Sequence, residues 1–404
     1  MKAFALYSYV SAAVMVLLLH ACGETQTPDY NAKERRIADS LENRLVAAPG
    51  KKPLRLLTDR PYNLETPLHY FMQDITPNDV FFVRWHLPVP PQPVSEDTFR
   101  LRVTGNTARP LALSIQDLKT KFEPYKLVAV CACAGNARNF CDPRVPGAQW
   151  KNGGMGNAEW TGVRLKDILQ MAGTRANTKS VSFNGLDQPV FPNTPDFIKS
   201  LELAHAMDGE VMVAYAMNSE PLPYLNGYPL KLVVPGWYAT YWVGMLSHIS
   251  LHAGAVDNYW MDKAYRIPAG AADANEDPAN LSHNMVPISR MDVRSLFVHP
   301  EPGTVIEKDK ACEVQGLAMD DGAGIVKVEL SSNGGATWQP AKLGPDLGRY
   351  SWRRWHYTYT PAKEGNVHLL AKATNAAGRT QPASHWNRSG YMRNEIESLP
   401  LVVQ

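Results

Sequence analysis

Hydrophobic and polar positions alternate in short runs along most of this chain, and the alternation changes character twice. Residues Ala3 to Leu19 are an unbroken apolar run preceded only by Lys2. Gly23 to Arg60 is polar and charged, with a short helical periodicity over Lys33 to Val46. From Tyr62 to Pro268 strand and helix patterns are interleaved. Phe99 to Val103 alternates apolar and polar and runs into Gly105-Asn106, which predicts a strand and a turn. Ser114 and Asp117, ahead of Leu118 and Phe122, have the spacing of a capping box that opens a helix. Leu165, Ile168, Leu169 and Ala172 share one helical face, and Gly173 is placed to stop that helix. Leu230 to Val234 followed by Pro235-Gly236 predicts a buried strand and a turn. Ala269 to Asn284 is rich in Ala, Asn, Asp and Pro, a linker composition. Beyond Arg290 only strand patterns remain: Ile325 to Leu330 with the turn Ser332 to Gly335, and Val367 to Ala371 with Asn375 to Gly378. Short strands at this spacing predict a β-sandwich of immunoglobulin type.

A chain of 404 residues exceeds one ordinary core. The expected organisation is an N-terminal segment 1–22, an extension 23–60, an α+β catalytic domain 61–268, a linker 269–289 and an immunoglobulin-like sandwich 290–404. The apolar run is too short and too poorly flanked for a membrane span and reads as a signal peptide. It ends Leu19-His20-Ala21-Cys22, similar to a bacterial lipobox with Cys22 as the lipidated residue. The expectation is an exported, periplasmic lipoprotein that touches the membrane only through its lipid anchor. No Arg-Arg pair precedes the apolar run; Arg35-Arg36 lies beyond it. A net charge of +2 gives no reason to expect nucleic-acid binding, so attraction for an anion must come from local arginines. The other cysteines are Cys131, Cys133, Cys141 and Cys312. Cys131 and Cys133 share a strand face and are poorly placed to bond each other, whereas a Cys131–Cys141 disulfide stays open. Neither a Cys-x-x-Cys-His haem motif nor a Cys-x-x-Cys zinc pair occurs.

The chemistry concentrates where the apolar run Leu127 to Val130 meets a small turn. Cys133 ends that run, Gly135 lets backbone approach a ligand closely, and Arg138 places a fixed charge just beyond. A soft sulfur beside a guanidinium suits a soft, high-valent metal acting on an anion. Taken alone, Cys133 would read as a small buried cysteine. A second signature is Phe81 to Pro90, in which Arg84 and His86, two apart on a strand, are expected to face one pocket. A third is Asn226 to Gly244, with Lys231 inside it.

Taken together and in this order, the three segments resemble the sulfite oxidase family of molybdopterin oxidoreductases, over roughly Leu64 to Gly390, and within it the bacterial periplasmic sulfite dehydrogenases. The resemblance implies a sulfite-oxidase-type catalytic domain, with the sandwich as dimerisation domain, and a molybdenum–molybdopterin cofactor. Cys133 would be the protein's ligand to molybdenum, a dithiolene supplying two further sulfurs. His86, Asn136 and Lys231 would hold the pterin, Lys231 near its phosphate. Arg84 and Arg138 would bind sulfite, Trp150 would wall the substrate pocket, and Tyr265 would hydrogen-bond substrate and pass a proton. Two departures stand out: Trp85 occupies a position often held by asparagine, and is expected to face away, while Gly244 occupies one often held by lysine. The implied reaction is oxidation of sulfite to sulfate. Electrons would pass to an external c-type cytochrome, from a homodimer or from a heterodimer with a cytochrome subunit. The alternatives are a periplasmic S-oxide (methionine sulfoxide) reductase, a sulfane-sulfur dehydrogenase subunit, and a surface adhesion lipoprotein.

Overall fold

A computed structural model describes residues 44–269 and 275–404. Cys22 and nearly all of the helix expected over 33–46 lie outside the described residues. Val46, at the end of that expectation, belongs instead to a strand, Leu45–Ala48.

Three sheets build the catalytic region. The first runs Leu45–Ala48, Lys51–Asp59, Tyr62–Glu65, Val83–Arg84, antiparallel throughout. The expected boundary after residue 60 therefore cuts a hairpin. Leu54 and Leu56 are buried with Leu64, Val83 and Trp85, so the end of the presumed extension is part of the catalytic core. The second sheet is dominated by the long hairpin of Tyr125–Ala132 and Met155–Arg164, with Met212–Met217 on its inner side and Lys231–Val233 paired to that strand. The third runs Ile198–Glu202, Ser180–Asn184, His248–His252, Leu101–Gly105, Leu111–Leu113, parallel only where His248–His252 meets Leu101–Gly105.

Two helices fall where their end signals put them. Ser114 Oγ accepts from Asp117 N at 3.0 Å, and the Asp117 carboxylate accepts from Ser114 N at 2.9 Å, opening Ile115–Lys121. Leu165–Ala172 buries the four apolar residues of its one face, and Gly173 ends it at φ 74°. The remaining described α-helices are single turns, Leu203–Ala206 and Tyr259–Asp262. The region is thus mostly strand, and the expected α/β mixture holds only in part. The apolar runs between turns are too short to propagate helices.

Beyond residue 290 two sheets face each other. One contains Arg294–His299, Cys312–Met319, Arg353–Tyr359 and Lys342–Leu343; the other contains Val305–Ile306, Glu397–Val403, Gly365–Asn375, Ile325–Ser331 and Gln339–Pro340. Val314, Val328, Trp355, Leu369 and Leu399 fill the space between them. Leu296, Leu317 and Trp352 instead join the core of the catalytic region. Trp352 packs edge-on against Phe71 at 5.1 Å, and Arg354 donates to Asp74 at 2.9 Å and to the Phe71 carbonyl at 2.8 Å. Tyr125–Ala132 is an edge strand, and the Tyr350 carbonyl covers it by accepting from Val130 N at 2.9 Å. The expected linker is not a free connection either. Met285–Pro287 pairs with Arg266–Pro268, and the Glu276 carboxylate is buried against Arg388.

Because the two regions share a core, Trp352→Ala should cost on the order of 3–5 kcal/mol, the cost of truncating a fully buried tryptophan. Urea unfolding followed separately by catalytic-region and sandwich probes should show both midpoints falling together. A drop confined to the sandwich would show the regions to be independent.

Candidate active site

Cys133 is the first residue after the strand Tyr125–Ala132. Its amide donates to the Gly154 carbonyl at 2.9 Å, and its carbonyl accepts from Asn136 N at 3.0 Å. Arg138 N then donates to Gly135 O, which closes the turn with Ala137 left-handed at φ 70°. The Asn136 side chain accepts from Gly154 N at 2.9 Å and so ties the turn to the opposite strand. A Cβ on Gly154 would fall 2.8 Å from the Trp150 ring and 3.0 Å from Asn136 Oδ1, so only glycine fits there. Trp150 is wholly buried and edge-on to Phe82. Asn136 and Trp150 thus stand behind the cysteine turn and do not line the cleft in front of it. Asn136 lines a smaller cavity on the other side of the turn, beside Cys133 and Ala134.

The cleft is lined by Cys133, Cys131, Arg84, Trp85, His86, Lys231 and Tyr265, among others. The strand carrying Arg84 ends at that residue, so strand alternation does not continue through Trp85 and His86. All three consequently reach the cleft, and the expectation that Trp85 faces away is incorrect. Its indole Nε1 donates to the Leu225 carbonyl at 2.9 Å. Arg84 donates to Asn63 Oδ1 and to Tyr265 Oη, each at 3.3 Å, and also to the Trp85 carbonyl. The Tyr265 hydroxyl is hydrogen-bonded to His86 Nε2, and the imidazole lies flat on Phe197 at 3.9 Å. Tyr265 itself is left-handed at φ 56°, a strained conformation for an aromatic residue. Its carbonyl is held by Ile288 N at 2.9 Å, just past the ribbon that the presumed linker forms.

Arg138 is buried, and Gly135 makes room for it: a Cβ there would stand 2.7 Å from the guanidinium. It donates to the carbonyls of Ser389 at 3.0 Å and Ala148 at 3.1 Å. Its guanidinium lies 5.0 Å from the centre of the Tyr391 ring, which stacks on Tyr265 at 5.2 Å. Arg138 therefore acts on the cleft through Tyr391, with the Tyr391 and Tyr265 rings between it and Arg84. Sequence reasoning passed over Tyr391, whose only signal is its place beside Gly390.

Burial, together with the charges of Arg84 and Lys199, holds the His86 pKa well below its ordinary value, so the imidazole is neutral. Burial pushes Tyr265 upward against the opposing pull of Arg84, so the phenol keeps its proton. Burial raises the Cys131 thiol to about 12, and all four described cysteines are free, including Cys131 and Cys141. Burial lowers Lys51 and Lys199 to about 7, and lowers Lys231. None of Arg84, Lys51, Lys199 and Lys231 is ion-paired among the described residues. Thr240 lines the cleft with a buried hydroxyl that has no partner. Asp187, also in the lining and 2% exposed, is pushed by burial to about 7. Its only signal in the sequence is an acid three residues beyond a strand end, after Gly185. A soft sulfur, unpaired buried cations and an unsatisfied hydroxyl in one cleft fit an anionic cofactor that brings its own metal.

Comparison with known proteins agrees. The oxidoreductase molybdopterin binding domain matches residues 86–260, and the Mo-co oxidoreductase dimerisation domain matches residues 285–397. Mitochondrial sulfite oxidase of Homo sapiens is 32% identical over 397 residues, covering 94% of this chain and 70% of that one. The chain belongs to the sulfite oxidase family of molybdopterin oxidoreductases. Family members include the sulfite oxidase of Arabidopsis thaliana, 28% identical over 85% of this chain and 92% of its own length. The sulfane dehydrogenase SoxCD from Paracoccus pantotrophus has the same fold: the TM-score is 0.73 at 23% identity, over 94% of this chain and 92% of that one. As a member of this family the chain is an oxidoreductase that uses a molybdenum–molybdopterin cofactor in sulfur oxidation. Cys133 would ligate the metal, and Lys231, Thr240 and Asp187, which line the same cleft, would meet the pterin.

Asp187 gives a pH test on cofactor-free protein. Its folded pKa of about 7 lies above the ordinary 3.8, so the folded chain holds a proton that the unfolded chain releases. Its stabilising effect is complete at low pH and is lost as pH rises through about 7. Asp187→Asn should match wild type in melting temperature near the low end of this window and exceed it above the upper end. Parallel curves throughout would place Asp187 in water.

Proposed function

We propose that this protein is a molybdenum-dependent sulfite dehydrogenase, exported and held at the membrane by a lipid on Cys22, that passes electrons to an external c-type cytochrome. The observation that carries the reading is Arg84, a half-buried guanidinium with no carboxylate partner among the described residues, in the same cleft as Cys133. Such a group favours a small oxyanion, because a charge desolvated without a counterion is costly. Its contacts within the protein leave the Nε–H and one Nη2–H uncommitted among the described residues.

Sulfite would dock against those donors, and Arg138 would add positive potential through Tyr391. The bound cofactor supplies oxygen-atom transfer and takes up two electrons. Tyr265 receives a hydrogen bond from Arg84 and is free to donate its own to neutral His86. Turned from His86 toward a bound oxyanion, the same O–H can donate to an oxygen of substrate or product, and because the phenol stays protonated it adds no charge to the pocket. Aromatic rings of Phe197, Trp260 and Tyr391 surround this pair and limit access of water. The chain carries no haem motif of its own, which supports an external one-electron carrier. The lipobox-like Leu19-His20-Ala21-Cys22 supports export and anchoring, and the matched dimerisation domain supports a dimer.

Sulfite-driven reduction of cytochrome c, run beside a methionine sulfoxide reduction assay, tests the proposal. Arg84→Met should raise the Michaelis constant for sulfite on the order of 100-fold, the worth of a buried charge-assisted pair. Arg138→Gln should raise it on the order of tenfold, because its charge acts at one remove. Unchanged constants in both variants, or turnover of the sulfoxide without sulfite oxidation, would refute the reading.

A further inference from the structure

We propose that Lys51 is an anchoring residue for the phosphate of the bound pterin, sharing it with Lys231. Lys51 opens the strand Lys51–Asp59, far in sequence from the segments that signal the cofactor, yet it is 7% exposed. Its ammonium donates to Asn226 Oδ1 and to the Asn78 carbonyl, both at 2.5 Å. Asn226 lines the cleft and donates in turn to the Phe82 carbonyl at 2.9 Å. Lys231 adjoins the same point: a Cβ on Gly227 would lie 3.5 Å from the Lys231 Cβ. Its ammonium has no hydrogen-bond partner among the described residues.

The buried Lys51 ammonium bonds Asn226, and Lys231, half-buried in the same cleft wall as Asn226, lies close enough to repel it. Asp79 is the acid that acts on Lys51, but its ion pair, at 2.8 Å, is with Lys52. A pair of desolvated like charges without a counterion is unfavourable unless an anion completes the site. Residue 244, a glycine in the cleft lining, cannot provide a third cation. A Cβ there would sit 2.8 Å from the Trp85 ring, so the indole leaves room only for glycine. A phosphate monoester dianion matches two ammoniums in charge. The inference rests on the family's cofactor and not on sulfite being the substrate.

The test is Lys51→Met, made in a host that synthesises the cofactor and passed through gel filtration at high salt. Molybdenum by mass spectrometry and pterin by fluorescence should both fall on the order of tenfold per chain, as expected for loss of one charge-assisted contact to phosphate. Cofactor-free Lys51→Met should melt no lower than cofactor-free wild type, because the lost charge was desolvated. Inorganic phosphate should raise the melting temperature of cofactor-free wild type more than that of the variant. Asn226→Asp supplies an internal counterion, so it should raise the cofactor-free melting temperature while lowering molybdenum and pterin content. Full cofactor content in either variant would overturn the inference, as would a melting temperature of cofactor-free Lys51→Met lowered enough to explain the loss. The phosphate arm reads Lys51 without any cofactor, so failure of the cofactor assignment would show separately, as wild-type protein lacking molybdenum.

Discussion

Unpaired positive charge inside the cleft is the constraint on which the rest of the molecule depends. Arg84 and Lys231 are half-buried in the cleft wall, Lys51 and Lys199 are buried outside its lining, and none meets a carboxylate among the described residues. Desolvating an unpaired cation costs several kcal/mol. Lys51 and Lys199 evade part of that cost by releasing their protons near pH 7, and Arg84 cannot. On the reading proposed above, anions offset that cost, one as the cofactor's phosphate and one as an oxyanion substrate. The cleft is built for what it binds, at some expense to the empty protein.

The scaffold holds these charges around one sulfur by gathering segments that are distant in the chain. The long hairpin of the second sheet presents Cys133 at the end of its edge strand, and the sandwich covers that edge through Tyr350. The first sheet ends at Arg84, delivering arginine, tryptophan and histidine into the cleft in succession. Ala137 and Tyr265 are both left-handed, and each is held by backbone hydrogen bonds from elsewhere in the fold. Met392, also left-handed, donates its amide to the Ala134 carbonyl at 2.8 Å, so the C-terminal region locks the cysteine turn directly. That region is therefore part of the active site's support as well as a dimerisation module.

What could be read from the residues alone was governed by local physics. Ser114 with Asp117, and Leu165 to Gly173, announce their helices because capping and amphipathic periodicity act within a few residues. Cys133, Arg84, His86, Lys231 and Tyr265 were legible through their motifs, and the structure brings them to one cleft. Trp150 and Asn136 lie outside the lining of the main cleft, a placement no motif could give, because a motif shows that a residue is near a site, not which side of the backbone it occupies. Trp85 was misplaced because strand alternation was extended past Arg84, where the strand stops. Lys51, Asp187 and Tyr391 escaped notice altogether. Each reaches the site through long-range packing, and a lone lysine, aspartate or tyrosine carries no local mark of burial.

The claim at the centre of this account is that Cys133 is the protein's bond to the metal. X-ray absorption at the molybdenum edge counts the sulfur atoms around it directly. Wild-type protein should show one sulfur more than Cys133→Ser, the remaining sulfurs coming from the pterin dithiolene. An identical sulfur count in the two proteins, both loaded with molybdenum, would contradict it.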